Sequence, residues 1–72
     1  MHSEADRLLQ ARKTFGLTQE QVATRIGITR TGYVHLERRN RTPSMRVARA
    51  LSALFGLPID WLFPGPQEQS NA

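Results

Sequence analysis

TQEQVATRIGITRTGYVHLE, residues 18–37, is the stretch that decides the fold. Thr18 followed three residues on by Gln21 makes a capping box. In that arrangement the threonine hydroxyl accepts from the backbone N–H of residue 21, and the glutamine side chain reaches back to the N–H of residue 18. Val22, Ala23 and Ile26 recur at helical spacing and form an inner stripe. Gly27 ends that helix after two turns. Thr29 caps another helix almost at once, and its inner face is Tyr33 and Leu36. Gly32 sits inside this helix, at a cost of about 1 kcal/mol against alanine. Either a close backbone approach requires it, or the helix bears the loss. The reading is of two short helices joined by a tight turn.

Outward from this unit the chain stays helical. Residues 4–15 read as a helix with Leu8, Ala11, Arg12 and Phe15 at helical spacing. Glu4 and Asp6 suit its positive end. Gly16 stops it, and Leu17 is placed to staple onto the next helix. On the other side, Arg38-Arg39-Asn40-Arg41-Thr42 is a basic loop. Pro43-Ser44 starts a fourth helix with Met45, Ala48, Leu51, Ser52 and Phe55 facing inward, and Gly56 stops it. Pro58 begins a short fifth helix through Phe63. Pro64-Gly65-Pro66 breaks the pattern, so residues 1–63 are expected to form one domain and 64–72 a disordered polar tail. No stretch alternates as a strand would. The expected class is all-α, a compact domain of five helices.

Composition narrows the function. The chain has 72 residues and a net charge of +4. A chain this short buries only about 60% of the surface its unfolded form exposes, so it needs dense helix packing or a partner. Without cysteine it has no disulfide and no thiolate metal site. No signal-like apolar run opens the chain, and no stretch approaches the length of a membrane span, so the expectation is a cytoplasmic protein without membrane contact. The charge is uneven. Residues 1–24 are neutral, residues 25–49 carry +6 and residues 50–72 carry −2. A concentrated basic block on a small fold suits a polyanion.

The paired helices around Gly27 have the form of a helix-turn-helix, whose second helix enters the DNA major groove with its N-terminal residues against base edges. Here Arg30, Thr31, Val34 and His35 lie on the face opposite Tyr33 and Leu36. Arginine can bind guanine O6 and N7 with two hydrogen bonds, and threonine or valine can meet a thymine methyl. Arg38, Arg39 and Arg41, three guanidiniums within four residues, are the expected phosphate contacts. Arg46 and Arg49 read as exposed helix charges. A metal role for His35 has no support, because no partner ligand stands at suitable spacing.

At these residues the sequence resembles the Cro/CI-type, lambda-repressor-like (XRE) helix-turn-helix domains. The resemblance runs from about residue 8 to 63. It rests on Arg12, on the run Gly16-Leu17-Thr18-Gln19-Glu20-Gln21-Val22-Ala23, and on Gly27-Ile28-Thr29-Arg30. Leu36-Glu37-Arg38, Pro43-Ser44 and Gly56-Leu57-Pro58-Ile59-Asp60-Trp61-Leu62 continue it. It implies that Gln19 contacts a phosphate, a role that a side-chain amide beside helix N-terminal N–H groups can fill. It also implies base-reading roles for Arg30, Thr31 and His35, and a partly buried salt bridge between Arg12 and Glu37. Three positions depart from the pattern. Gly32 and Tyr33 stand where a small polar residue and an aliphatic one are usual, so the recognition helix is expected to tilt and the Tyr33 hydroxyl must find water or a partner. Arg39 stands where the family often has glycine, so the loop after the third helix is expected to take a different path.

Apolar residues remain beyond the inner faces. Val47, Ala50 and Leu54 form a second stripe on the fourth helix, and Trp61 and Phe63 lie near the last. Such stripes are costly to leave wet, and Val47, Leu54, Trp61 and Phe63 are the expected interface of a homodimer. Two-fold operators with half-sites about 34 Å apart would match it. The expected function is a sequence-specific double-stranded-DNA-binding transcriptional regulator, more specifically a repressor, with residues 30–37 in the major groove. The alternatives are an antitoxin-type regulator that also binds a partner protein, and a basic module that binds nucleic acid without sequence preference. No Gly-x-Ser-x-Gly, P-loop or His-Glu-x-x-His motif supports an enzyme, and neither a cofactor nor a small-molecule ligand is expected.

Overall fold

The structure, a computed structural model, describes residues 7–39 and 41–64. These residues form α1 (Arg7–Thr14), α2 (Gln19–Ile26), α3 (Arg30–Glu37), α4 (Met45–Phe55) and α5 (Ile59–Leu62), with no strand among them. Glu4, Asp6 and nearly all of the tail expected at 64–72 lie outside the described residues.

The helix boundaries follow local chemistry. Both halves of the Thr18/Gln21 capping box form: the Gln21 N–H donates to Thr18 Oγ1 at 3.0 Å, and the Thr18 N–H donates to Gln21 Oε1 at 2.8 Å. Gly27 takes φ 79°, and its left-handed turn lets the chain leave α2 and reach Thr29, the N-cap of α3, two residues later. Thr29 Oγ1 accepts from the Gly32 N–H at 3.0 Å, and Ser44 Oγ accepts from the Val47 N–H at 3.2 Å. Each such cap is worth about 1 kcal/mol.

One core joins all five helices. Leu8 and Ala11 of α1 meet Val22, Ala23 and Ile26 of α2, Tyr33 and Leu36 of α3, Val47, Ala48, Leu51 and Phe55 of α4, and Leu62 with Phe63 at the end of α5. Each large apolar side chain among them contributes roughly 1.5–3 kcal/mol. α2 packs on α3, and α4 reaches both α2 and α5. α1 closes onto α5, where the Arg7 guanidinium sits 5.1 Å from the centre of the Trp61 ring and Nη1 donates to the Trp61 carbonyl at 3.3 Å.

The inner face of α4 differs from the expected one. Met45 is 58% exposed, and Val47 takes its place in the core. Met45 is the first helical residue after the Ser44 cap, ahead of the turn that meets the core. The residues read as a second stripe, Val47, Ala50 and Leu54, lie next to the buried positions rather than across the helix from them. At ~100° per residue, they and the core positions make one broad apolar band. Phe15, expected inside, is half exposed and lies edge-on to Phe55 with ring centroids 5.2 Å apart. α1 has already ended at Thr14, so helical periodicity no longer sets its direction.

Candidate nucleic-acid interface

α3 presents two faces fixed by its period. At ~100° per residue, positions 30, 31, 34, 35 and 38 share one side, and 33, 36 and 37 share the other. The structure follows this division. Tyr33 and Leu36 are buried, Arg30, Thr31 and Arg38 are exposed, and Val34 and His35 are partly exposed. The four residues expected to read bases therefore stand together on one outward strip. That strip joins a chemically suitable group: an arginine for a guanine edge, two side chains able to meet a methyl, and an imidazole. Gly32 keeps the edge of the strip low. A Cβ there would meet only Thr29 Oγ1, at 3.2 Å.

The basic loop begins where α3 ends. Arg38, Arg39 and Arg41 are all exposed. Arg39 adopts φ 63°, the one non-glycine residue in the left-handed region among those described. An arginine here takes a conformation that glycine adopts easily, at a cost of about 1–2 kcal/mol. Arg39 Nη2 also donates to the Pro64 carbonyl at 3.4 Å, and the rest of its guanidinium donors remain for an anion.

Beneath the strip lies a polar cluster centred on Glu37. Arg12 Nε donates to Glu37 Oε2 at 2.5 Å, and Arg12 Nη2 donates to Oε1 at 3.4 Å. Arg12 Nη1 holds the Leu17 carbonyl at 2.9 Å. The Tyr33 hydroxyl donates to Glu37 Oε2 at 2.7 Å, so the tyrosine that departs from the family pattern has a partner inside the fold. Gln19 Nε2 donates to Glu37 Oε1 at 3.0 Å. Only the N–H side of an amide can face a carboxylate, which settles the orientation of Gln19. The Arg12 and Glu37 side chains are 12% and 7% exposed.

The electrostatics follow from this packing. Burial would raise the Glu37 pKa, but hydrogen bonds from Arg12, Tyr33 and Gln19, with the Arg12 charge, outweigh it and hold the carboxyl below its ordinary value. Arg12 is pushed up, first by its hydrogen bond to Glu37. Tyr33 is pushed up by burial and then by its bond to the carboxylate. The salt bridge expected between Arg12 and Glu37 is present, whereas the bonds from Tyr33 and Gln19 to Glu37 were not foreseen. The spacing of Tyr33 and Glu37, four residues on one helix, was the available signal for the first.

Gln19, expected as a phosphate contact, sits at the first position of α2, partly exposed. The capping box occupies the N–H groups of Thr18 and Gln21. By helix geometry, those of Gln19 and Glu20 are left for solvent or an anion. The four residues expected at a dimer surface divide. Val47 and Phe63 are 8% and 6% exposed and belong to the core of the single chain. They are buried because the core reaches the flank of α4 and the end of α5. Leu54 and Trp61 are only partly buried, with Arg7 lying over the Trp61 ring. No group of three His, Cys, Asp or Glu able to hold a metal occurs among the described residues. No helix among them is long and apolar enough to cross a membrane.

Comparison with known proteins gives one consistent result. A family model described as helix-turn-helix matches residues 8–62. An uncharacterized HTH-type transcriptional regulator of Archaeoglobus fulgidus is 35% identical over 57 residues, 79% of this chain and 81% of its own length. A second such protein from the same organism is 32% identical over 63 residues, covering 88% of this chain and 89% of its own. A prophage-derived uncharacterized HTH-type transcriptional regulator of Bacillus subtilis is 33% identical over 64 residues, covering 89% of this chain and 59% of its own. No solved structure matches the chain.

Proposed function

This chain belongs to the XRE, Cro/CI-type helix-turn-helix family of transcriptional regulators, and we propose that it reads a specific double-stranded DNA operator with the outer face of α3. The family is one of DNA-binding regulators, not a class of enzymes. The observation that carries the reading is the outward strip of Arg30, Thr31, Val34 and His35, backed by buried Tyr33 and Leu36 and followed by three exposed arginines. Rigid support beneath and charge beside the strip are what base reading needs: phosphate contacts set register, and base edges supply sequence. Arg30 is assigned to a guanine, and Thr31, Val34 and His35 to neighbouring base edges. Gln19, Arg38, Arg39 and Arg41 are assigned to phosphates.

α3 is eight residues long, or about 12 Å. It therefore spans about four base-pair steps of ~3.4 Å. A four-base-pair word is too common to define an operator, so the domain acts as a homodimer on a two-fold site. Leu54 and Trp61, at the rim of the core, are the residues we assign to that contact. Occupation of the groove excludes other proteins from the same site, and repression in the cytoplasm is the regulatory outcome this favours.

Selection of bound duplexes from a random DNA library tests the reading. The expected product is a pair of inverted half-sites about one helical turn apart, 10–10.5 base pairs between centres. Enrichment of no sequence over the starting pool would refute it.

A further inference from the structure

The hydrogen bonds around Glu37 run from the buried side of the recognition helix to the edge of the DNA surface. Tyr33, fully buried in α3, donates to Oε2. Gln19, partly exposed at the start of α2, donates to Oε1 of the same carboxylate. Arg12 grips both oxygens and neutralises the charge. With one N–H spent on Glu37, the Gln19 amide keeps one N–H to donate, next to the backbone N–H groups at the start of α2. We propose that Tyr33 is a positioning residue for DNA binding: its hydroxyl fixes the Glu37 carboxylate, which in turn aims the Gln19 amide at a backbone phosphate.

The chemistry has two parts. A carboxylate that meets four donors has little freedom to rotate, because each of its lone-pair directions is occupied. Removing the Tyr33 hydroxyl leaves Oε2 with the Arg12 Nε bond alone and Oε1 with Gln19 and the longer Arg12 Nη2 bond, so the carboxylate is fixed less tightly and the Gln19 anchor can shift with it. The pair also matters for charge. A bare carboxylate 3.0 Å behind the Gln19 nitrogen would repel the phosphate that the amide is meant to hold. Arg12 cancels that repulsion, and Tyr33 spreads the remaining negative charge into a hydrogen bond.

The inference rests on the phosphate role assigned to Gln19, and its test separates the two. Tyr33→Phe keeps the ring and removes only the hydroxyl. Equilibrium binding to the selected operator is measured for the wild type, Tyr33→Phe, Gln19→Ala and the double variant. All four are held well below their unfolding temperatures, as followed by circular dichroism. Loss of one oriented hydrogen bond predicts about a five- to tenfold drop for Tyr33→Phe, with the ranking of operator sequences unchanged. The double variant should bind no more weakly than Gln19→Ala alone. Phosphate-ethylation interference should weaken at the same single phosphate in both single variants. Wild-type affinity in Tyr33→Phe, or losses that add in the double variant, overturns the positioning role while Gln19→Ala still weakens binding. Unchanged binding in Gln19→Ala removes the phosphate role and the inference with it. A wild type that binds no duplex overturns the proposed function as well.

Discussion

Glu37 is held charged by its neighbours, and that fixes how the fold responds to acid. Its folded pKa lies below its ordinary value, so the unfolded chain takes up the proton first as pH falls. The stability it contributes is therefore complete above the unfolded carboxylate value of about 4.3. It is lost as pH drops through the folded value. Glu37→Gln should flatten the fall in melting temperature as pH drops below the ordinary carboxylate value of about 4.3, and an unchanged slope would contradict the assignment. Glu37→Ala at neutral pH should cost about 3 kcal/mol in denaturant unfolding, because it strands the Arg12 charge in a site that is nearly closed. Two residues show the limit of reading at this scale. The Arg12–Glu37 pair was legible because its members match a family pattern. The Tyr33 hydroxyl bond was legible only as a need for a partner, since which acceptor lies within reach depends on how α1, α2 and α3 meet. Arg39 shows the opposite case: it takes a left-handed backbone conformation, which the identity of an arginine does not announce.

At the scale of the element, caps and glycines decided the boundaries. α2 and α3 begin and end where Thr18, Gly27 and Thr29 place them, and α3 occupies residues 30–37 as read from the sequence. The face of α4 was less legible. The expected set Met45, Ala48, Leu51, Ser52 and Phe55 and the observed set Val47, Ala48, Leu51 and Phe55 both fit a helical period, and the two differ by a modest rotation. Which rotation is taken depends on where α2 and α5 press on α4, and that is a tertiary fact. α3 offers a test of how its own start is built. Gly32→Ala gains about 1 kcal/mol of helix propensity, yet its new Cβ would crowd the capping oxygen of Thr29 at 3.2 Å. Thermal unfolding should show the full gain only in a Thr29→Ala background, itself destabilised by about 1 kcal/mol. Equal gains in both backgrounds would show that the cap hydroxyl moves aside freely.

At the scale of the whole molecule, the net charge of +4 is a poor description. The neutral first third supplies the frame through Arg12 and Gln19, the middle carries +6 from the end of α2 through α3 and its loop into α4, and the last part carries −2. The molecule is therefore polarised along the surface that would meet a polyanion. The apolar rim was the least legible feature at this scale. Val47 and Phe63 read as surplus to one core, yet the core extends far enough to bury them. What remains at the rim is Leu54 and Trp61. Leu54→Glu should convert a dimer to a monomer in sedimentation equilibrium while the helical spectrum is kept. A wild type that stays monomeric at high concentration would rule out the dimer.

If the outer strip of α3 reads bases, Arg30 is the residue whose loss must change sequence preference. Affinities of the wild type and Arg30→Ala are measured against the selected operator and each of its single-base-pair variants. Base reading by Arg30 predicts a loss of roughly 1–3 kcal/mol on the operator itself and a collapse of preference at one base pair, with discrimination elsewhere kept. A uniform loss on every duplex, with the full pattern of preferences intact, would place Arg30 on a phosphate and contradict it.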